Sequence, residues 1–234
     1  MQPTTLGDVS FWYADIGLPQ SRRPALRADT QVDVAIIGAG YTGLWTAYYL
    51  KKAQPDLRVA IVEKDFAGFG ASGRNGGWCM GTFAWNHEAY ARATSRAAVL
   101  QMVQELEATV PEIARVCQAE GIDADMLPTE EMMVATNPAQ LARMKAEIAH
   151  RSHWGDGHRI RELTQAEVAQ RISLPNALGA MVVSGMARIQ PAKLVRGLAL
   201  AVERLGVTIY EDSAALSYDA GEIVTAHGRL MAPI

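Results

Sequence analysis

A glycine-rich hexapeptide near the N-terminus constrains the fold more than any other feature of the chain. Residues 38–43 read GAGYTG, which has the spacing G-x-G-x-x-G. The motif follows an apolar, β-branched run at 32–37 and precedes good helix formers at 43–53. A second apolar run at 57–62 completes a strand, a helix and a strand, as in a βαβ unit. The pattern predicts an α/β fold with a Rossmann-like parallel sheet.

Each glycine of this motif has a steric role. Gly38 allows a tight turn out of the first strand, and Gly40 lets a pyrophosphate approach the backbone. Gly43 allows the helix to pack close to the sheet, and the unpaired N–H groups at the helix start then face the phosphates. Glu63 ends the second strand, where a carboxylate can accept hydrogen bonds from ribose hydroxyls and repel a 2′-phosphate. This ordered set favours dinucleotide binding over a purely structural glycine turn, but it leaves FAD and NAD open.

A second glycine-rich segment follows at 68–78, with the sequence GFGASGRNGGW. Its glycines allow a close backbone approach, and Ser72, Arg74 and Asn75 place hydrogen-bond donors among them. A flexible surface loop is the alternative interpretation, but such loops seldom contain Arg, Asn and Trp together. The segment favours FAD, because it would have no role in an NAD-dependent dehydrogenase.

The rest of the chain predicts further helices and strands around this unit. Residues 1–30 are expected to form an arm without helical periodicity, in which the aromatic residues 11–13 dock on a neighbouring surface. The pattern at 86–120 is helical, and Pro111 is expected to break or restart that helix. The remaining expected elements are a strand at 131–136, a helix at 138–149, a capping box at 164–167, a helix from Pro191 to Gly206, a strand at 207–211 and a hairpin about 227–228.

Composition narrows the functional classes. The formal net charge of −3 gives no basic face for nucleic acid, and the two cysteines lie far apart, which argues against a disulfide framework. No signal peptide or membrane span is expected, and a cytoplasmic protein is the plain interpretation. The histidines at 150, 153 and 158 fit no zinc spacing, so no metal is expected.

The two glycine-rich segments and Glu63 resemble those of the D-amino-acid oxidase-like superfamily of FAD enzymes. The sequence is most similar to the gamma-glutamylputrescine oxidoreductase branch. Two further segments carry the resemblance: the aromatic residues at 11–13, and 187–198, which resembles the return of the chain into the cofactor domain.

The resemblance implies non-covalent FAD, because the histidine that attaches flavin in some relatives is missing from the second glycine-rich segment. It also implies hydride transfer from a carbon bearing an amine to the flavin, with hydrolysis of the resulting imine. The small-molecule substrate would be an amine or amino acid. The implied cofactor-binding residues are Gly38, Gly40, Tyr41, Thr42, Gly43, Glu63, Lys64, Gly70, Ala71, Ser72, Gly73, Arg74, Asn75, Gly76 and Gly77. No catalytic side chain is assigned.

The resemblance also implies a domain division. Residues 31–125 and 187–234 are expected to form a discontinuous, incomplete FAD-binding domain, and 126–186 the start of an α+β substrate domain. Family members are longer, so a C-terminal half that completes the site is expected to be missing. The alternative to an FAD-dependent amine or amino-acid oxidoreductase is therefore an inactive flavin-binding module that needs that half.

Overall fold

The computed structural model describes residues 9–83 and 86–233, and they form an α/β fold. The helices are α1 (Phe11–Ile16), α2 (Tyr41–Ala53), α3 (His87–Ala93), α4 (Arg96–Glu120), α5 (Pro138–His153), α6 (Gln165–Arg171) and α7 (Pro191–Arg204). The strands are β1 (Thr30–Gln31), β2 (Val34–Ile37), β3 (Val59–Val62), β4 (Trp78–Met80), β5 (Leu127–Ala135), β6 (Ile160–Thr164), β7 (Gly179–Arg188), β8 (Thr208–Tyr210), β9 (Ser217–Asp219), β10 (Glu222–Val224) and β11 (Arg229–Met231).

The chain divides into two compact units. The first comprises Met1–Gly77, Cys117–Asp125 and Gln190–Ile234, and the second Trp78–Val116 and Met126–Ile189. Residues 78–116 thus cluster with the second unit, whereas the sequence predicts them in the cofactor domain. Which unit binds cofactor and which binds substrate remains a prediction.

The first unit contains the predicted parallel sheet. Its strand order is β2-β3-β8, with Val34 opposite Val59 and Ile61 opposite Ile209. The central strand β3 is buried along its whole length, which explains its uninterrupted apolar sequence. Within the described residues β2 pairs on one side only, and Ile37 at its end is 49% exposed. The sheet therefore has an open apolar edge at β2.

A second sheet of the first unit has the order β1-β11-β10-β9. Strands β10 and β11 are antiparallel, with Ile223 opposite Leu230, so the hairpin predicted about 227–228 is confirmed. Leu230 and Leu26 are buried in one core cluster with residues of β3. The segment before β1 is thereby fixed to the same core as the parallel sheet.

The second unit is built on an antiparallel sheet of order β4-β7-β5, with β6 also paired to β7. Helix α5 covers one core cluster through Met144, and α6 covers another through Val168. The predicted capping box is present, since Thr164 and Glu167 bond each other's backbone N–H groups. This separation of sheet and helices is α+β in character.

Two expectations about helices were wrong. Helix α4 continues through Pro111, which is exposed and lacks the N–H that an interior helix position would use. Burial of Val103 and Val116 on either side holds the helix together across this position. The aromatic residues at 11–13 form the short helix α1, because the Ser10 side chain accepts a hydrogen bond from the backbone N–H of Tyr13. Residues 1–8 of the predicted arm lie outside the described residues.

None of the helices in the described ranges is long and apolar enough to cross a bilayer.

Candidate cofactor site

The candidate site lies where the three parallel strands of the first unit end. Gly38 follows β2, Glu63 follows β3 and Glu211 follows β8, so all three residues meet at the carboxyl edge of one sheet. Ligands of open α/β sheets bind at this edge, where the strand ends and the following loops leave a crevice.

The first glycine turn is fixed to the sheet by its own backbone. Gly38 has φ +95°, and its N–H donates to the carbonyl oxygen of Val62 at 2.8 Å. Nothing lies within 4 Å of the position that a Cβ on Gly38 would take, so the turn has open space beside it. A Cβ on Gly43, by contrast, would overlap the Gly38 carbonyl oxygen and lie 3.1 Å from Cγ2 of Ile36. The close helix–sheet packing expected at Gly43 is confirmed.

The Glu63 carboxylate lies at this turn and is held by backbone donors. Its Oε2 accepts from the N–H of Ala39 at 2.9 Å, and its Oε1 accepts from the N–H of Asp65 at 3.0 Å. An ionised carboxylate offers about four lone-pair positions, so Glu63 can accept further hydrogen bonds from a ligand. The neighbouring Lys64 is exposed.

Ser72 brings the two glycine-rich segments together at the N-terminus of α2. Its Oγ accepts from the N–H of Tyr41 at 2.8 Å, and a Cβ on Gly40 would lie 3.0 Å from the same oxygen. Gly40 is the N-cap residue of α2, and the first turn of the helix carries no acidic residue. The positive end of the helix dipole is therefore available to an anion. The phenol of Tyr41 donates to the carbonyl oxygen of Pro191 at 2.9 Å, which leaves only its backbone at the turn.

The second glycine-rich segment is ordered largely by its own side chains. Asn75 Nδ2 donates to the carbonyl oxygen of Ser72 at 2.9 Å, and Asn75 Oδ1 accepts from the N–H of Gly77 at 2.9 Å. Arg74 bonds the carbonyl oxygen of Phe69 through Nε at 2.6 Å, and its guanidinium lies 4.1 Å from the centre of the Phe69 ring. The exposed candidate residues are Thr42, Lys64, Gly70, Ala71, Arg74 and Gly76, whereas Gly43, Gly73 and Gly77 are buried.

Sequence reasoning missed two groups that support this segment. Ser10 and Trp12 contact it from α1, and Glu211 contacts the residue just before it. A pattern search could have suggested α1 from the Ser-x-x start of the aromatic cluster, since serine is a favoured N-cap. Glu211 gave no signal, because a single acidic residue after a strand is common.

The three histidines of residues 150–158 lie in the second unit, with His150 and His153 in the last turn of α5. In the parts of the chain that the structure describes, no group of three His, Cys, Asp or Glu side chains could hold a metal ion.

Residues 33–232 match the model of the DAO family, described as FAD dependent oxidoreductase. The chain belongs to this family. The match spans both glycine-rich segments and nearly all of the described residues. The description of the family names FAD as the cofactor and oxidoreductase as the class of enzyme.

Individual proteins resemble the chain in sequence or in fold. The chain is 30% identical over 211 residues to gamma-glutamylputrescine oxidoreductase of Escherichia coli (strain K12), which covers 88% of this chain and 47% of that protein. Glycine oxidase from Geobacillus kaustophilus has the same fold, with a TM-score of 0.71, 24% identity and coverage of 87% of this chain and 54% of the other. L-amino acid deaminase from Proteus myxofaciens gives a TM-score of 0.71 at 17% identity, with coverage of 92% and 48%. The chain spans about half the length of the curated relatives that it matches.

Proposed function

We propose that this DAO-family chain provides the FAD-binding part of an enzyme that oxidises the C–N bond of an amine or amino acid. Hydride would leave the carbon bearing the neutral amine, and the resulting imine would hydrolyse to a carbonyl compound and an amine or ammonia. The support is the family match together with the similarity to gamma-glutamylputrescine oxidoreductase, glycine oxidase and L-amino acid deaminase. When bound, FAD supplies the hydride-accepting ring, and the protein supplies orientation and exclusion of water.

One observation carries the proposal: Ser72 joins the second glycine-rich segment to the N-terminus of α2. The bond from Tyr41 N–H to Ser72 Oγ gathers a glycine turn, a helix N-terminus and a donor-rich loop in one place. This arrangement fits an extended, doubly phosphorylated cofactor. The pyrophosphate would occupy the open space beside Gly38, and a larger side chain on that turn would block this space.

The proposed contacts follow from the position of each group. Backbone N–H groups of residues 40–43 would bind the pyrophosphate, and Glu63 would accept from the ribose hydroxyls through its unused lone pairs. Lys64 would contact the adenosine end from its exposed position. Residues 70–77 would run along the pyrophosphate and towards the flavin ring. Because this loop contains no histidine, FAD would be held without a covalent bond.

A second candidate function is favoured by the open edge of β2. The strand is apolar and unpaired on one side within the described residues, with Ile37 half exposed, and the relatives are about twice as long as this chain. On this alternative the chain is a flavin-binding module that is inactive until a further polypeptide segment supplies the rest of the substrate cavity.

Anaerobic reduction by candidate substrates distinguishes the two functions. The FAD-loaded chain is mixed without oxygen with a panel of amines and amino acids, and flavin absorbance near the visible maximum is followed. Bleaching that depends on the amine would support the oxidoreductase. Stable binding of FAD without bleaching by any member of the panel would support the incomplete module. A folded chain that bound no FAD would contradict the proposed cofactor site in this chain.

A further inference from the structure

The helix α1 contacts the second glycine-rich segment through two hydrogen bonds. Ser10 Oγ donates to the carbonyl oxygen of Gly73 at 2.8 Å while accepting from the N–H of Tyr13 at 3.3 Å. Trp12 Nε1 donates to the carbonyl oxygen of Asn75 at 2.7 Å. The same serine that begins the helix therefore also holds the loop, and α1 cannot form in this position without contacting it.

Tyr13 fills the space beneath the loop. Its side chain is buried and meets the Phe66 ring edge to face, with 5.3 Å between ring centres. A Cβ on Gly73 would lie 2.6 Å from Cε2 of Tyr13, and a Cβ on Gly68 would lie 2.9 Å from its hydroxyl oxygen. Tyr13 is thus one of the neighbours that leave no room for a side chain at these two glycines, together with Val195 at Gly68 and the Gly68 carbonyl oxygen at Gly73.

The bond from Trp12 acts on the residue that ties the loop together. Asn75 bonds the carbonyl oxygen of Ser72 and the N–H of Gly77 through its side-chain amide. Ser72 in turn accepts from the N–H of Tyr41 at the start of α2. A continuous series of hydrogen-bonded residues therefore runs from Trp12 through Asn75 and Ser72 to the helix N-terminus that is proposed to bind the pyrophosphate.

The chain that follows α1 is held near the start of the second glycine-rich segment by Glu211. Glu211, which is fully buried, accepts from the Arg23 guanidinium at 2.7 Å and from the Arg23 N–H at 2.8 Å. The same carboxylate accepts from the N–H of Ala67 at 2.9 Å, one residue before the loop begins. Every one of these bonds is charge-assisted, and the buried carboxylate would be costly to leave unpaired.

We propose that α1 clamps the second glycine-rich segment in the conformation that receives the flavin, with Ser10 and Trp12 as positioning residues for the cofactor. The proposal rests on the proposed function, because it assigns a role to residues that would not touch FAD. Without the clamp, residues 70–77 sample other conformations, and the apparent dissociation constant for FAD rises in inverse proportion to the competent fraction. Loss of one neutral hydrogen bond lowers the ratio of competent to other loop conformations by roughly three- to tenfold.

Hydrogen exchange on the chain without cofactor tests the clamp directly. We expect Trp12→Phe, which keeps an aromatic ring but removes the indole N–H, to speed amide exchange in residues 68–77 by roughly three- to tenfold. The dissociation constant for FAD, measured by flavin fluorescence, should rise by up to the same factor. Ser10→Ala should have the same two effects, and it serves as the second variant if Trp12→Phe fails to fold.

Two controls separate positioning from a general loss of stability. Trp154→Phe makes the same substitution in the second unit, where the indole donates to Glu88 at 3.2 Å, and should leave both loop exchange and FAD affinity unchanged. Tyr13→Phe keeps the ring beneath the loop and removes a buried hydroxyl that has no hydrogen-bond partner, so it should also leave both unchanged.

Unchanged exchange of residues 68–77 in both Trp12→Phe and Ser10→Ala would overturn the clamp. Faster exchange with unchanged FAD affinity would overturn the positioning role. A wild-type chain that bound no FAD would contradict the proposed function instead, and loop exchange would still show whether α1 holds the segment.

Discussion

Substitution of Gly43 by alanine tests the packing on which the candidate site depends. An added Cβ would overlap the carbonyl oxygen of Gly38 and press on Cγ2 of Ile36 at 3.1 Å. Since comfortable nonbonded contacts to carbon are roughly 3.5–4 Å, α2 would have to move away from the sheet by about 1 Å. That movement loosens the contacts of Leu44 and Ala47, which are fully buried.

The magnitude follows from two opposing effects. Alanine is favoured over glycine in a helix by about 1 kcal/mol, whereas overpacking a well-packed site costs roughly 1–3 kcal/mol and more where backbone must move. Because the obstacle at Gly43 is a backbone carbonyl, we expect Gly43→Ala to lower the free energy of unfolding by about 2 kcal/mol, and to weaken FAD binding by displacing the start of α2.

Urea unfolding measured with and without FAD checks both effects. Gly197→Ala is the comparison variant, since Gly197 also lies within a helix but a Cβ there meets the Ile122 side chain, which can adjust more easily than backbone. We expect Gly197→Ala to lower the free energy of unfolding by less than Gly43→Ala does. A Gly43→Ala chain that gained about 1 kcal/mol, as an exposed helical glycine would, and bound FAD normally would refute the packing argument.

Three further predictions concern single side chains. Glu63→Gln leaves one backbone N–H facing an amide NH₂, so we expect a loss of about 1–3 kcal/mol of unfolding free energy and weaker FAD binding, measured by urea unfolding and flavin fluorescence. Burial raises the pKa of Tyr13 to about 12, against the lowering effects of Arg196 and Arg74, so the native state holds a proton that the unfolded chain loses near pH 10. Stability should therefore fall by on the order of 2 kcal/mol between about pH 10 and 12, and Tyr13→Phe should remove this part of the decline in thermal unfolding scans. Pro111→Ala restores a backbone donor in the middle of α4 and should raise the free energy of unfolding by about 1–2 kcal/mol; a lower melting temperature would contradict this.

The sequence predicted the elements whose physical causes are local. The β-branched runs became β2 and β3, and Pro191 and Gly206 bracket α7 because proline suits the first helical turn and glycine adopts the positive φ, here +89°, that ends it. The capping box at Thr164 and the hairpin at 227–228 are equally local, and both were confirmed.

Features that depend on distant packing were not predictable in the same way. The buried apolar run of strand β7 is interrupted at Ser184 and Gly185, so its sequence has no regular strand period. Antiparallel partners on both sides nevertheless make it the centre of its sheet. Helix α4 passes through Pro111 because tertiary burial outweighs one lost hydrogen bond.

The candidate site also combines features that are local in sequence with features that depend on distant contacts. The glycines and Glu63 were predicted from spacing, and the structure places Glu63 at the first glycine turn. Their supports were not predicted, since the contacts from Trp12 to Asn75 and from Glu211 to Ala67 join residues 63 and 144 positions apart. The assignment of these residues to cofactor binding stays a prediction.

The most direct test of the central claim is the visible absorbance spectrum of the chain after addition of excess FAD and removal of free cofactor. A Cβ at Gly40 would lie 3.0 Å from Ser72 Oγ, so a Val side chain there would push Ser72 away from the Tyr41 N–H and disturb the helix start that is proposed to bind the pyrophosphate. We therefore expect the wild-type chain, and the exposed-surface control Ala142→Val, to retain a flavin spectrum that Gly40→Val loses while remaining folded by circular dichroism. Full flavin occupancy in Gly40→Val would contradict the account.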